Sequence, residues 1–144
     1  MHKSVAPKLS STGDAKIDQN ILYVNNSLKM ASYLCMKQFM DIKKMSLDEY
    51  VIDNNINIKM YNPGQSMGPH YDGQDGHTKL KYSLVLYLNN DYEGGEIYFR
   101  NQNVSIKPSA GSLVLFPSQQ PFEHESKIVD SGYKYMVPSH IYAK

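Results

Sequence analysis

The stretch "GPHYDGQDGHTK", residues 68–79, brings two histidines and two aspartates close together in the chain. His70 and Asp72 stand two positions apart. On a β-strand that spacing puts both side chains on one face, where a single cation can meet an imidazole nitrogen and a carboxylate oxygen. On a helix the two would diverge by roughly 200°. The context "GPHYDG" suits an extended segment that ends in a turn. The same pair also suits a solvated loop, so a metal role requires a third donor from elsewhere. His77, His124 and His140 are the candidates. His77 would need an unusually tight turn to return to the same ion, and His140 follows a proline in a candidate edge strand. His124 lies in "PFEHES", just after the strand-like "SLVLF".

Two imidazoles and one carboxylate on one face of an ion leave the opposite face open, the ligand set of non-haem Fe(II) oxygenases. His70, Asp72 and His124 would supply it. Such an iron needs a co-substrate, and a dicarboxylate bound there needs a cation at its far end. Lys134, in "SGYKYMV", shares a strand face with Met136. If that face points inward, the buried ammonium requires a partner, and a ligand carboxylate would be one. The other register turns Lys134 to solvent and Tyr133 and Tyr135 inward. In "KYSLVLYL", Ser83, Val85 and Tyr87 occupy one face and Leu84, Leu86 and Leu88 the other. Two hydroxyls on a central strand need polar partners, unless the tyrosine is packed with its tip in water. Tyr61 ends the preceding run "NINIKMY". Asp75, His77, Lys79 and Lys81 flank the His70–Asp72 pair and suit either a loop over a substrate or solvated surface.

These residues need a scaffold of strands. Residues 1 to about 18 are polar and aperiodic and read as an arm. A helix is predicted after Ser27, its apolar stripe formed by Leu28, Ala31, Leu34, Cys35, Phe39 and Ile42. "SLDE" then carries a capping-box pattern for a short second helix. From about residue 51 the period changes to that of strands. "NINIKMY", "KYSLVLYL", "GEIYF", "NVSIK", "SLVLF" and "YKYMV" are short runs between turn residues. Six or more strands in this region indicate an antiparallel sandwich or jelly roll. The expected fold is α+β and mostly β, a jelly-roll core with an N-terminal helix packed against it. One domain, 1–144, is expected, with an arm and supporting helices over 1–50 and a catalytic core over 51–144.

Composition narrows the function classes. The chain has 144 residues, 41% apolar and 20% charged, with a formal net charge of +1. That balance offers no electrostatic basis for binding nucleic acid or an acidic membrane. The one cysteine, Cys35, excludes an internal disulfide framework and fits a reducing compartment. No apolar run approaches the ~20 residues of a membrane span, and the opening residues lack the apolar stretch of a secretory signal. Cytoplasmic residence is the expectation; oligomeric state is not specified by these features.

The stretch from Tyr61 to about Tyr142 resembles the catalytic core of the 2-oxoglutarate/Fe(II)-dependent dioxygenases, in the prolyl 4-hydroxylase branch. The resemblance rests on "YNPGQSMGPHYD", "YSLVLYLNNDYEGGEIYF", "IKPSAGSLVLFPS" and "HESKIVDSGYK", in the family's order and spacing. It implies a double-stranded β-helix. It places the family's H-x-D…H iron ligands on His70, Asp72 and His124, and its 2-oxoglutarate-anchoring basic residue on Lys134. Further co-substrate contacts fall on Tyr61, Ser83 and Tyr87. Fe(II), 2-oxoglutarate and O2 follow as cofactor and co-substrates, with ascorbate as a reductant and a prolyl peptide or protein as substrate. Two features depart from the family: Met67 replaces a second aromatic residue, and "MVPSHIY" replaces a C-terminal tryptophan motif. Both lie on the substrate side. The alternative readings are a non-catalytic jelly-roll interaction module, or a 2-oxoglutarate oxygenase acting on a free small molecule.

Overall fold

The computed structural model describes residues 13–53, 57–73 and 79–144. It opens with helix α1, Ala15–Lys43. This helix starts well before Ser27, the start expected from the apolar stripe. Asp14 caps it, its carboxylate accepting from the backbone N–H groups of Lys16 and Ile17 at 2.9 and 3.1 Å. The early turns were hidden from periodicity because Leu22, Tyr23 and Val24 face solvent. The stripe itself is also rotated. Ser32, Met36 and Met40 are buried, whereas Leu34 and Ile42 are exposed. Positions i, i+4 and i+8 face the sheet here, and a residue two positions away lies almost opposite. Cys35, at the border of the stripe, is half-buried. Lys44 ends the helix in the left-handed region at φ 54°, donating its N–H to the Asp41 and Met40 carbonyls.

The "SLDE" segment forms a single 3-10 turn, Leu47–Glu49. The Ser46 hydroxyl accepts from the Asp48 N–H at 3.2 Å. Among the described residues eleven strands follow: β1 Tyr50–Ile52, β2 Lys59–Tyr61, β3 Met67–His70, β4 Leu80–Tyr87, β5 Glu93–Gly94 and β6 Ile97–Phe99. The remainder are β7 Val104–Ile106, β8 Leu113–Pro117, β9 His124–Ser126, β10 Val129–Ser131 and β11 Lys134–Ala143. One antiparallel sheet runs β1-β11-β4-β8, with β2 also paired to β11. The second runs β3-β9-β6-β7, and β5 and β10 form a short ribbon. Two facing antiparallel sheets with a helix on the outside make the expected jelly roll.

β11 is longer than "YKYMV" suggested, because it continues through Pro138. Proline cannot donate to a ladder and is ordinarily kept to edges. Here Pro138 pairs with Val85 of β4, while on the other side it falls between the segments paired by β2 and β1. The chain thereby extends the strand without leaving a ladder donor missing.

Alternation along β4 separates two apolar layers. Leu84 packs outward with Met36, Met40 and Ile141 beneath α1, supported by Phe39, Tyr82 and Leu115. Val85 and Tyr87 point between the sheets, into a core shared with Tyr61, Ile97, Phe99, Phe116 and Met136. Helix burial therefore fixes which face of β4 and β11 looks into the barrel.

Candidate metal centre and its cavity

Three polar side chains meet between the sheets. His70 ends β3 and His124 begins β9; the two are direct partners in the ladder, and Phe99 of β6 is next in the row. Asp72 follows β3 in a turn. The Nε2 atom of His70 lies 3.3 Å from Asp72 Oδ1, and that of His124 lies 3.7 Å from Oδ2. One donor atom from each residue lies within 4.8 Å of the others, the only such triad among the described residues. Both rings are held from behind. His70 Nδ1 donates to the Gly68 carbonyl at 2.8 Å and His124 Nδ1 to that of Phe122 at 3.2 Å. A carbonyl only accepts, so Nδ1 carries a proton in each ring and Nε2 faces the centre, donating to Asp72 while the ring is charged and offering a lone pair once a cation displaces that proton.

The electrostatics suit a cation. Burial pushes the Asp72 carboxyl up, but hydrogen bonds from His70 and Ser83 and the two histidine charges outweigh it and hold the group well below the usual carboxylate range. His70 is raised, chiefly by its bond to Asp72, whereas burial lowers His124. Ser83 Oγ also lies 2.7 Å from Ser118 Oγ. With Ser83 donating to Asp72, Ser118 donates to Ser83, and the carboxylate is oriented through two hydroxyls. Phe99 and Phe116 flank His124, ring centroids 5.8 and 4.6 Å away. Two imidazoles with Nε2 turned to the centre and an ionised carboxylate, converging beside an apolar wall, fit a divalent transition metal such as Fe(II), which takes the place of the Nε2 protons.

The far end of the cavity is built around Lys134. Its side chain is fully buried, while Tyr133 and Tyr135 are turned out to solvent. The ammonium donates to the Gly95 carbonyl at 2.7 Å and to Ser126 Oγ at 2.8 Å. It also lies 5.1 Å from the Tyr61 ring centroid and 5.4 Å from that of Tyr87. No carboxylate is within ion-pair distance of it among the described residues. Burial lowers its pKa to about 8, despite some opposing attraction from Glu96. Gly95, at φ +68°, makes this contact possible: a Cβ there would lie 3.0 Å from Val129 Cγ2, 3.1 Å from Tyr92 Cε2 and 3.3 Å from Lys134 Cδ.

One cavity joins the two ends. His70, Asp72, His124, Lys134, Tyr61, Ser83 and Tyr87 all line it. Register sorts them. Lys134 pairs with Tyr61 and neighbouring Met136 with Tyr87, whereas Ser83 pairs with His140 further along β11. Ser83 accordingly stands by Asp72, and Tyr61 and Tyr87 stand by Lys134. Ser126, Lys59, Met67 and His140 also line the cavity. Ser126 was legible as the residue two after His124 on the same strand face. Lys59 is likewise two before Tyr61. Lys79 and Lys81 are exposed, and Asp75 and His77 lie outside the described residues. Among the described residues no helix is long and apolar enough to cross a membrane.

Comparison with known proteins gives a consistent set of relatives. Residues 56–142 match the family described as the 2OG-Fe(II) oxygenase superfamily. A PKHD-type hydroxylase of Prochlorococcus marinus is 39% identical over 62 residues, which cover 40% of this chain and 28% of that protein. Prolyl 3-hydroxylase 1 of Gallus gallus is 38% identical over 61 residues, covering 39% of this chain and 8% of its own length. The matched stretch thus spans less than a third of either curated relative. In fold, the chain is similar to the viral collagen prolyl hydroxylase of Paramecium Bursaria Chlorella virus-1, solved as its 2OG complex. That likeness has a TM-score of 0.68 at 24% identity, covering 94% of this chain and 77% of the other.

Proposed function

The chain belongs to the 2OG-Fe(II) oxygenase superfamily, and on that premise we propose that it hydroxylates a prolyl residue of a peptide or protein. His70, Asp72 and His124 hold Fe(II); Lys134 anchors 2-oxoglutarate. The observation that carries this reading is the Lys134 ammonium, fully buried without a carboxylate partner among the described residues and facing the same cavity as the triad. Such a charge is costly until an anion completes it. The far carboxylate of a dicarboxylic acid whose other end meets the metal supplies that anion.

Fe(II) with 2-oxoglutarate and O2, when bound, supplies oxidation of a C–H bond with release of succinate and CO2. The chain's own residues prepare the site for it. His70 and His124 present fixed Nε2 lone pairs, because their Nδ1 protons are committed to backbone carbonyls. Asp72 stays ionised and is oriented by Ser83, itself bonded to Ser118. Lys134 binds the distal carboxylate with charge-assisted hydrogen bonds, and Ser126 and the Gly95 carbonyl hold the ammonium in place. Tyr61 and Tyr87 wall this end, with Tyr61 Oη donating to Met67 Sδ at 3.6 Å. Phe99 and Phe116 keep water from the triad's flank, which protects a reactive site.

The prolyl substrate is supported by the prolyl hydroxylases among the relatives. Ascorbate as a reductant belongs to the same proposal. The test is to incubate Fe(II)-loaded protein with 2-oxoglutarate, O2 and a panel of proline-containing peptides, measuring succinate and a one-oxygen mass gain on the peptide. Succinate that forms only with peptide and metal, and rises with ascorbate, supports the reading. No 2-oxoglutarate turnover and no metal-dependent 2-oxoglutarate binding would overturn it. Oxidation of free proline in preference to every peptide would replace the peptide substrate with a small molecule.

A further inference from the structure

Among the described residues, Lys59 is the one group lining the cavity whose charge the proposed chemistry leaves over. It lies on β2 two residues before Tyr61, paired with Met136 of β11 as Tyr61 is paired with Lys134. Side chains two apart on a strand share a face, and Lys59 accordingly lines the cavity, half-buried. Its charge is felt at the His70 ring. No carboxylate pairs with it among the described residues.

Charge accounting makes this position informative. With the proposed group bound, the two positive charges of Fe(II) and the one of Lys134 are balanced by Asp72 and the two carboxylates of 2-oxoglutarate. Among the described residues the cavity lining has no other acidic side chain. Lys59 then remains as an uncompensated cation on the approach to the metal. His140, on the same inward face of β11 and partnered with Ser83, adds a second hydrogen-bonding group to the lining. It lies four residues along β11 from Met136, the partner of Lys59, so the two are separated by roughly 13 Å at strand rise. An extended peptide of about four residues covers that distance.

We propose that Lys59 is a specificity-determining residue which selects peptides carrying an acidic side chain within one or two residues of the hydroxylated position, with His140 contacting the peptide further along. This inference rests on the function proposed above. An exposed or half-exposed cation discriminates modestly, so the expected preference for acidic over neutral peptides is about 5- to 10-fold.

The test uses protein loaded with Mn(II) and 2-oxoglutarate without O2, and fluorescent proline-centred peptides bearing glutamate, glutamine or lysine beside the proline. Anisotropy reads the peptide Kd, and calorimetry reads 2-oxoglutarate binding in the same samples. The expected result is tighter binding of the glutamate peptides, weakened in high salt, levelled in Lys59→Gln and reversed toward the lysine peptides in Lys59→Glu. Equal binding of all peptides by the unmodified protein overturns the inference, as does binding of none while 2-oxoglutarate still binds. A preference that survives Lys59→Gln overturns it too. So does a Lys59→Gln variant that loses 2-oxoglutarate affinity with its peptide preference intact, which would assign Lys59 to the co-substrate. Failure of the unmodified protein to bind 2-oxoglutarate with metal strikes instead at the proposed function beneath it.

Discussion

Replacing Lys134 with methionine separates a functional cation from a structural one. Burial moves this lysine from about 10.5 to about 8, which corresponds to roughly 3 kcal/mol disfavouring the ammonium in the folded protein at neutral pH. Methionine fills similar space without charge. It forfeits the hydrogen bonds to Gly95 O and Ser126 Oγ, at about 1.5 kcal/mol each because the donor is charged. The ligand-free Lys134→Met variant is therefore expected to match the parent's stability at pH 7 to within about 1 kcal/mol. The pH dependence has a definite sign. Between pH 8 and 10.5 the unfolded lysine holds a proton that the folded one has released. Parent stability therefore rises with pH across that window relative to the variant, which becomes the less stable of the two. Ligand binding moves the other way. Removing the cation leaves a buried carboxylate unpaired, so the 2-oxoglutarate Kd should rise by about 10²- to 10³-fold. In the parent that Kd should itself climb above pH 8, as the ammonium deprotonates. Urea unfolding at pH 7 and 10, with calorimetry of 2-oxoglutarate binding to the Mn(II) form, measures both sides. A variant that binds 2-oxoglutarate within threefold of the parent would refute the reasoning, as would one destabilised by more than about 3 kcal/mol without ligand.

Three further outcomes follow from the same geometry. Asp72→Asn keeps the shape but removes the one anionic donor of the triad, and should lower 2-oxoglutarate turnover at least about 10²-fold with loss of Fe(II) retained on a desalting column. Ser83→Ala leaves all three donors in place but removes the hydroxyl that joins Ser118 to the Asp72 carboxylate; metal affinity should fall by about 10-fold, read by competition with a chelating dye. Gly95→Ala forces a side chain into a φ +68° backbone against Val129, Tyr92 and Lys134. It should cost about 1–3 kcal/mol in urea unfolding and weaken 2-oxoglutarate binding along with it, whereas alanine at exposed Gly64, also at positive φ but with open space around it, should leave 2-oxoglutarate binding unchanged.

Much of this architecture is legible in residue order. Strand alternation depends on a two-residue period that the backbone imposes locally, so Ser83, Val85 and Tyr87 could be assigned to one face of β4 without coordinates. The same local rule joins His70 to Asp72. Helix α1 was harder because its packing is not fully expressed in its apolar pattern. Ser32 is buried while Leu34 and Ile42 are exposed, and only the sheet beneath decides which side of the helix is covered. Its start depended on Asp14 and two backbone donors, a signal carried by geometry rather than hydrophobicity.

The sequence by itself determined the local parts: a His–Asp pair for one strand end, a histidine after a strong strand, a lysine at strand spacing from Met136, and hydroxyls on a central strand. Tertiary structure decided which parts meet. Pairing of β3 with β9 puts His70 against His124, and pairing of β2 with β11 puts Tyr61 beside Lys134. Whether Lys134 or its neighbouring tyrosines point inward could not be settled by alternation, because a shift of one residue exchanges the two faces. The choice comes from burial of Met36, Met40, Leu84 and Ile141 on the helix side of the sheet. That packing turns the opposite face of β11, and its ammonium, into the barrel. The same partition leaves Ser83 with Asp72 rather than with Lys134, since register along β4 is a long-range fact that no local spacing contains.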